Sequence, residues 1–95
     1  MTPKQKRIWR AVIERDNKTC QQCGRPGSEV HHIISRGWDK AWNEKNMLVL
    51  CWYCHQRAHG HEARKRHLRT LRDRYGYTYE HPKYLEALEE MLCAV

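Results

Sequence analysis

Apolar residues recur in a helical rhythm over the first segment. Ile8, Trp9, Val12 and Ile13 fall on one face, with Arg7, Arg10, Glu14 and Arg15 elsewhere, which predicts an amphipathic helix. Thr2 offers an N-cap hydroxyl and Pro3 suits the first helical position, so the helix is expected to begin there and run to about Asp16-Asn17. The rhythm then breaks: residues 20–27 contain Gly24, Pro26 and Gly27 and read as a turn-rich knuckle. Residues 29–34 are β-branched and apolar around two adjacent histidines, a short strand. Residues 35–44 form a loop with Gly37, Trp38 and Trp42, and Met47-Leu48-Val49-Leu50 is a compact apolar run, a buried second strand. A helix is expected from about Trp52 to Cys54 onward, carrying His55 and His59 and ended or weakened by Gly60. Leu68, Leu71 and Tyr75 predict another from about Glu62, with Gly76 as its terminator. Tyr77, Thr78 and Tyr79 read as an extended connector. His81-Pro82 opens a last helix with Leu85, Leu88, Met91 and Leu92 on one face.

The expected fold class is therefore small α+β: two strands, a helix before them and helices after. Ninety-five residues predict one domain spanning 1–95. Its parts are an N-terminal helix (1–19), a knuckle-and-strand core (20–60) and a basic helix followed by a C-terminal helix (61–95). A core of this size is often marginal, so a structural metal would help it.

Charge changes the picture next. The net charge is +7, which favours a polyanionic partner, nucleic acid first and an anionic membrane surface second. The positive charge is concentrated in residues 57–74, where Arg57, Arg64, Lys65, Arg66, Arg69, Arg72 and Arg74 stand against Glu62 and Asp73. No apolar stretch reaches 18 residues, so no membrane span is expected. The basic N-terminus has no long apolar segment behind it, so no signal peptide is expected either. With cysteines in C-x-x-C pairs, the expected compartment is a reducing cytoplasm.

The candidate chemistry lies in the cysteines and histidines. Of five cysteines, four form two pairs, Cys20-x-x-Cys23 and Cys51-x-x-Cys54, and Cys93 reads as a small core residue. Four thiolates suit tetrahedral Zn²⁺ and form a closed shell, the mark of a structural site. One alternative is that His55, directly after Cys54, replaces a cysteine in that shell. His55 and His59, four apart on the expected helix, could reach one cation. The adjacent His31 and His32 should point to opposite faces of a strand, so one could join a metal while the other faces a substrate. His61 and His67 fit this arrangement less well.

The order His31-His32-Ile33, Asn46 before Met47-Leu48-Val49-Leu50, then Cys51-Trp52-Tyr53-Cys54-His55 and His59 resembles the HNH endonucleases. It is most similar to their small phage and bacterial members with a four-cysteine zinc site. The resemblance covers residues 20–59 and implies a two-stranded antiparallel ββα-metal (His-Me finger) core with structural zinc. It implies that His32 is the general base, His31 a ligand of a catalytic divalent ion, and Asn46 the residue that holds the base and its loop in register. His55 and His59 match the helix ligands of that ion, and Cys20, Cys23, Cys51 and Cys54 the zinc shell. Many members carry Asp at the position of His31.

The implied activity is hydrolysis of DNA phosphodiesters, as nicks or double-strand cuts, leaving 5′-phosphate and 3′-hydroxyl ends. Three imidazoles would suit Mn²⁺, Ni²⁺ or Co²⁺ better than Mg²⁺, which prefers oxygen ligands. Arg36, Arg57, Arg64, Lys65, Arg66 and Arg69 are the expected DNA contacts, largely to phosphate and so non-specific. Trp38 and Trp42 suit packing better than base stacking. The active unit is expected to be a monomer or a homodimer. Phage-encoded relatives can work beside DNA-packaging machinery, which would make that machinery a partner. The alternative from another class is a non-catalytic zinc-knuckle DNA-binding or packaging-accessory protein, which would need no base beside an open histidine site.

Overall fold

A computed structural model describes residues 1–34 and 40–77. The expectations for Arg36, Trp38, the segment 78–79, the last helix and Cys93 lie outside these residues. The chain runs through α1 (Pro3–Arg15), β1 (Glu29–His32), a 3-10 turn (Glu44–Asn46), β2 (Met47–Leu50), α2 (Trp52–Gln56) and α3 (His61–Tyr75). Among the described residues no helix is long and apolar enough to cross a membrane.

Helix α1 starts at the predicted cap. The Thr2 hydroxyl accepts from Gln5 N and the Gln5 side chain accepts from Thr2 N, a reciprocal capping box. The helix ends at Arg15, and Asn17 and Lys18 take positive φ of 54° and 51° to turn the chain toward the knuckle. β1 and β2 pair antiparallel, with Glu29 opposite Leu50, Val30 opposite Val49, His31 opposite Leu48 and His32 opposite Met47. β1 stops at His32, short of the predicted Ile34. Beyond it the backbone is held by Asn46 instead, through Ile33 N to Asn46 O (2.9 Å) and Ile34 N to Asn46 Oδ1 (2.9 Å).

The hairpin separates two apolar clusters. Val30, Met47 and Val49 pack under α1 against Val12 and Ile13, flanked by Ile8, Trp9 and Trp42. On the other face Leu48 and Leu50 meet Ile33, Ile34, Ala58, Leu68 and Leu71, together with Cys20 and Cys54. Each face of β2 is covered, which is why its four residues are all buried and apolar rather than alternating. Gly27 passes close behind the end of β2: an added Cβ would lie 2.9 Å from both Leu50 C and Leu50 O, so only glycine fits.

The outer edge of β2 is closed by a buried carboxylate. Asp16 accepts from Val49 N (2.8 Å) and from the Tyr75 hydroxyl (2.6 Å), and pairs with the adjacent Arg15 guanidinium (Nε to Oδ1, 2.9 Å). Arg15 in turn donates to Met47 O and Glu44 O, each at 2.7 Å, and stacks 4.6 Å over the Tyr75 ring. Gln21 N donates to Val49 O (2.9 Å), so both outward groups of Val49 are satisfied. This cluster joins α1, β2 and α3 in place of a third strand. Asp16→Ala would strand the largely buried guanidinium and the Val49 N–H; we expect a loss of ~3–5 kcal/mol, read from urea denaturation of the folded protein. A loss below about 1 kcal/mol would show that Asp16 is not the clamp.

Candidate metal centres and active site

The four cysteines converge. Their sulfurs all lie within 4.8 Å of one another, and Cys23 Sγ stands 3.8 Å from Cys51 Sγ. A sulfur tetrahedron with metal–sulfur bonds of about 2.3 Å has edges of about 3.8 Å, whereas a disulfide is about 2.05 Å. The fit is to a metal, and no cystine is present among these four. The knuckles make this geometry locally: Cys54 N donates to Cys51 Sγ (3.4 Å) at the start of α2, and Gly24 N closes a turn on Cys20 O (2.9 Å) with Gly24 at φ 79°. Without a cation the thiols compete for one charge. Burial opposes ionisation of Cys20, but backbone N–H groups at Cys23, Cys51 and Gln22 bring its pKa down to about 6. Burial and the surrounding sulfurs push Cys54 up to about 12. Four cysteines are thus placed to hold a metal ion, and His55 is not needed in that shell.

The adjacent histidines do face opposite sides of the hairpin. His31 shares the side of Leu48, toward α2 and α3, and is buried. Its ring is surrounded by those of His55 (centroids 5.1 Å), His67 (5.6 Å) and His59 (6.4 Å), all edge-to-face. Burial, then the rings of His67, His55, His59 and His32, push its pKa down to about 3. It is neutral imidazole near pH 7, the form that binds cations. His32 turns toward the α1 side, where its ring meets Trp42 edge-to-face at 4.7 Å. Trp42 therefore packs, as expected from the sequence.

The helix that follows is shorter than the spacing suggested. α2 ends at Gln56, because Arg57 closes it with bonds to Cys54 O and His55 O and Ala58 turns inward to the core. His59 thus lies in the link to α3, and the expectation that His55 and His59 share one helix face is corrected. His55 Nδ1 approaches Glu29 Oε1 at 3.3 Å, so Glu29 backs this imidazole from β1. Among the described residues only the cysteines bring three or more donor atoms within 4.8 Å of one another. His31, His55 and His59 would have to rotate to close around one ion.

A cleft of about 290 Å³ opens at the end of the hairpin, lined by His31, His32, Ile33, Ala58, His59, Gly60 and Arg64. Gly60, at φ 93°, starts α3 with no side-chain cap, so the positive end of a 15-residue helix also borders it. Arg64 Nε is buried there without a hydrogen-bond partner. Asn46 is buried behind: its Nδ2 donates to Ile34 O (3.1 Å) and Ala41 O (3.0 Å) and its Oδ1 accepts from Ile34 N, so it holds both flanks of the segment 35–40.

The other expected basic contacts separate. Lys65, Arg66 and Arg69 border a second groove with Glu62, and Lys65 pairs with that carboxylate at 2.9 Å. Arg57 lies 4.2 Å over the Tyr53 ring and donates to its hydroxyl (2.8 Å), away from the cleft lining. His67, which the sequence ranked behind the other histidines, lies beside His31. It is 1% exposed and its Nε2 lies 3.0 Å from Gln22 Oε1, inside the first knuckle. The only hint in the sequence is its place one residue before Leu68 on the core side of α3.

A histidine-lined ββα hairpin beside a four-cysteine metal cluster is the framework of a small nuclease. The HNH endonuclease family model matches residues 20–61, which span both cysteine pairs and every cleft histidine. A "Probable HNH endonuclease" of Lactococcus phage SK1 is 35% identical over 65 residues, covering 55% of this chain and 69% of that protein. No solved structure matches. The chain belongs to the HNH endonuclease family, and a nuclease role follows from that membership.

Proposed function

We propose that this protein is a metal-dependent DNA endonuclease that hydrolyses phosphodiester bonds in the cleft between β1 and the start of α3. The observation that carries the reading is the convergence of His31, His32, His59 and Arg64 on one cleft. His32 accepts the proton of the attacking water, with its ring set against Trp42. Asn46 keeps the backbone around His32 in place through Ile34 and Ala41. Arg64 and the first turn of α3 take up phosphate charge. His31, His55 and His59 are the residues to hold a divalent ion, and the neutral His31 and the Glu29-backed His55 suit that task. When bound, the ion supplies charge neutralisation at the phosphate and the leaving 3′ oxygen. Mn²⁺, Ni²⁺ or Co²⁺ suits these imidazoles better than Mg²⁺. In the four-cysteine shell the ion is structural Zn²⁺, which the 3.8 Å sulfur spacing supports.

The substrate is DNA, bound non-specifically through Lys65, Arg66 and Arg69 along α3. One cleft cuts one strand, so a monomer nicks and a homodimer could cut both strands. Association with DNA-packaging machinery is an extension by analogy with the phage relative. The test is supercoiled plasmid with Mn²⁺, Mg²⁺, Ni²⁺ or Co²⁺, with and without EDTA, followed by mapping of the ends. EDTA-sensitive nicking with 5′-phosphate ends is expected. No nicking with any ion would leave the protein a zinc-stabilised DNA-binding module.

Arginines in the two places should behave differently. Arg64→Ala is expected to slow cleavage by about 10-fold or more with little change in DNA affinity. Alanine at Lys65, Arg66 or Arg69 should weaken binding of all sequences alike and lower the salt slope by about one per residue. Binding isotherms against salt, beside single-turnover rates, would separate them. Equal effects on binding from both sets would remove Arg64 from the cleft chemistry.

A further inference from the structure

The buried His67 takes no part in the chemistry above, yet its environment is built for a purpose. Gln22 Oε1 can only accept, so His67 Nε2 must carry the hydrogen of their 3.0 Å contact. In the neutral ring Nδ1 then holds a bare lone pair. That atom is buried and has no hydrogen-bond partner, a state that costs about 1–3 kcal/mol unless something fills it. The His67 ring meets that of His31 edge-to-face, with centroids 5.6 Å apart and planes at 70°. A histidine that offers one nitrogen to a cation normally donates its other N–H to an acceptor, which sets its tautomer. His55 has such an acceptor in Glu29. His31 has none among the bonds the structure shows.

We propose that His67 is the positioning residue of the histidine centre: its Nδ1 accepts the ring N–H of His31, and Gln22 anchors it to the first cysteine knuckle. Their ring centroids lie 5.6 Å apart, near the spacing of about 5 Å at which a nitrogen of one imidazole bonds a nitrogen of another. Direct ligation of an ion by His67 is the weaker assignment, because His67 is 1% exposed and away from the cleft lining, which His31 and His59 join. The chain from Gln22, between Cys20 and Cys23, through His67 to His31 makes the cysteine centre a support for the geometry of the cleft. The proposal rests on reading His31 as a ligand of the catalytic ion, but its first test does not require that ion.

The test uses zinc-loaded full-length protein labelled with ¹⁵N-histidine. Long-range ¹H–¹⁵N spectra, with no second ion added, are expected to show His67 as the Nε2–H tautomer and His31 as a single tautomer. In His67→Leu, His31 should become a mixture of tautomers while the bound zinc stays at the wild-type amount. His67→Asn places an acceptor oxygen near the position of Nδ1 and should restore the single tautomer. The Mn²⁺ concentration for half-maximal nicking should rise about 10–100-fold in His67→Leu and recover in His67→Asn, with DNA affinity unchanged. An unchanged His31 tautomer in folded His67→Leu overturns the proposal. Should the leucine variant fail to fold, Gln22→Ala is read instead: a mixed His67 tautomer supports the anchor, and unaltered His67 and His31 signals overturn it. A wild-type protein with the predicted tautomers but no metal-dependent nicking upholds this inference and sinks the nuclease reading alone.

Discussion

Replacing His32 with alanine is expected to reduce plasmid nicking by about 10²–10⁴-fold, the usual contribution of a positioned general base. DNA affinity should hold, because the phosphate contacts proposed above fall to the arginines and lysine of α3. The fold should hold as well: His32 ends β1, the residue is only partly buried, and its ring contact is with Trp42. The readouts are initial nicking rate, equilibrium DNA binding and thermal melting on the same preparation. Turnover within a few-fold of wild type would place the base elsewhere. A collapse of melting temperature would instead make His32 a structural residue. The nearby His31 cannot substitute readily, since it lies on the other face of the strand and faces the buried ring cluster.

Replacing Cys54 with alanine should release the metal from the cysteine centre and unfold much of the domain near physiological temperature. Cys54 is buried in the same apolar cluster as Cys20, Leu50 and Leu71, so an ion held there would sit against the core rather than on an appendage. Structural zinc in small domains contributes binding free energy directly to folding, on the order of 10 kcal/mol. Loss of even about 3 kcal/mol corresponds to roughly 12–24 °C in a domain of this size. Circular dichroism melts and metal content of purified Cys54→Ala check this. An unchanged melting temperature together with unchanged metal content would remove the structural-metal assignment. Chelation of wild-type protein should reproduce the loss, and re-addition of zinc should reverse it.

Much of the framework was legible because its signals are local. Thr2-Pro3 caps α1, Gly76 closes α3 in the left-handed conformation at φ 69°, and the apolar run Met47–Leu50 is β2 to the residue. The C-x-x-C pairs were legible as metal ligands since each knuckle folds on itself. Two readings failed for a shared reason. Residues 55 and 59 have helical spacing, yet Ala58 is drawn into the core and α2 stops at Gln56. β1 ends early, with Asn46 holding Ile33 and Ile34 in place of a continued ladder. In both places a tertiary contact outweighs local pattern, as short elements allow.

Sequence alone therefore determined most of the described elements, the two cysteine pairs and the family, because caps, periodicity and ligand spacing act within a few residues. Only the tertiary structure decided which histidine looks where. It turned His31 into a buried ring cluster and His32 toward Trp42, brought Arg64 to their cleft, and set His67 and Gln22 behind them. It also made Asp16, which reads as a helix end, the clamp of three elements. These placements depend on contacts between residues 10 to 59 positions apart, fixed by burial and hydrogen-bond satisfaction rather than by local pattern.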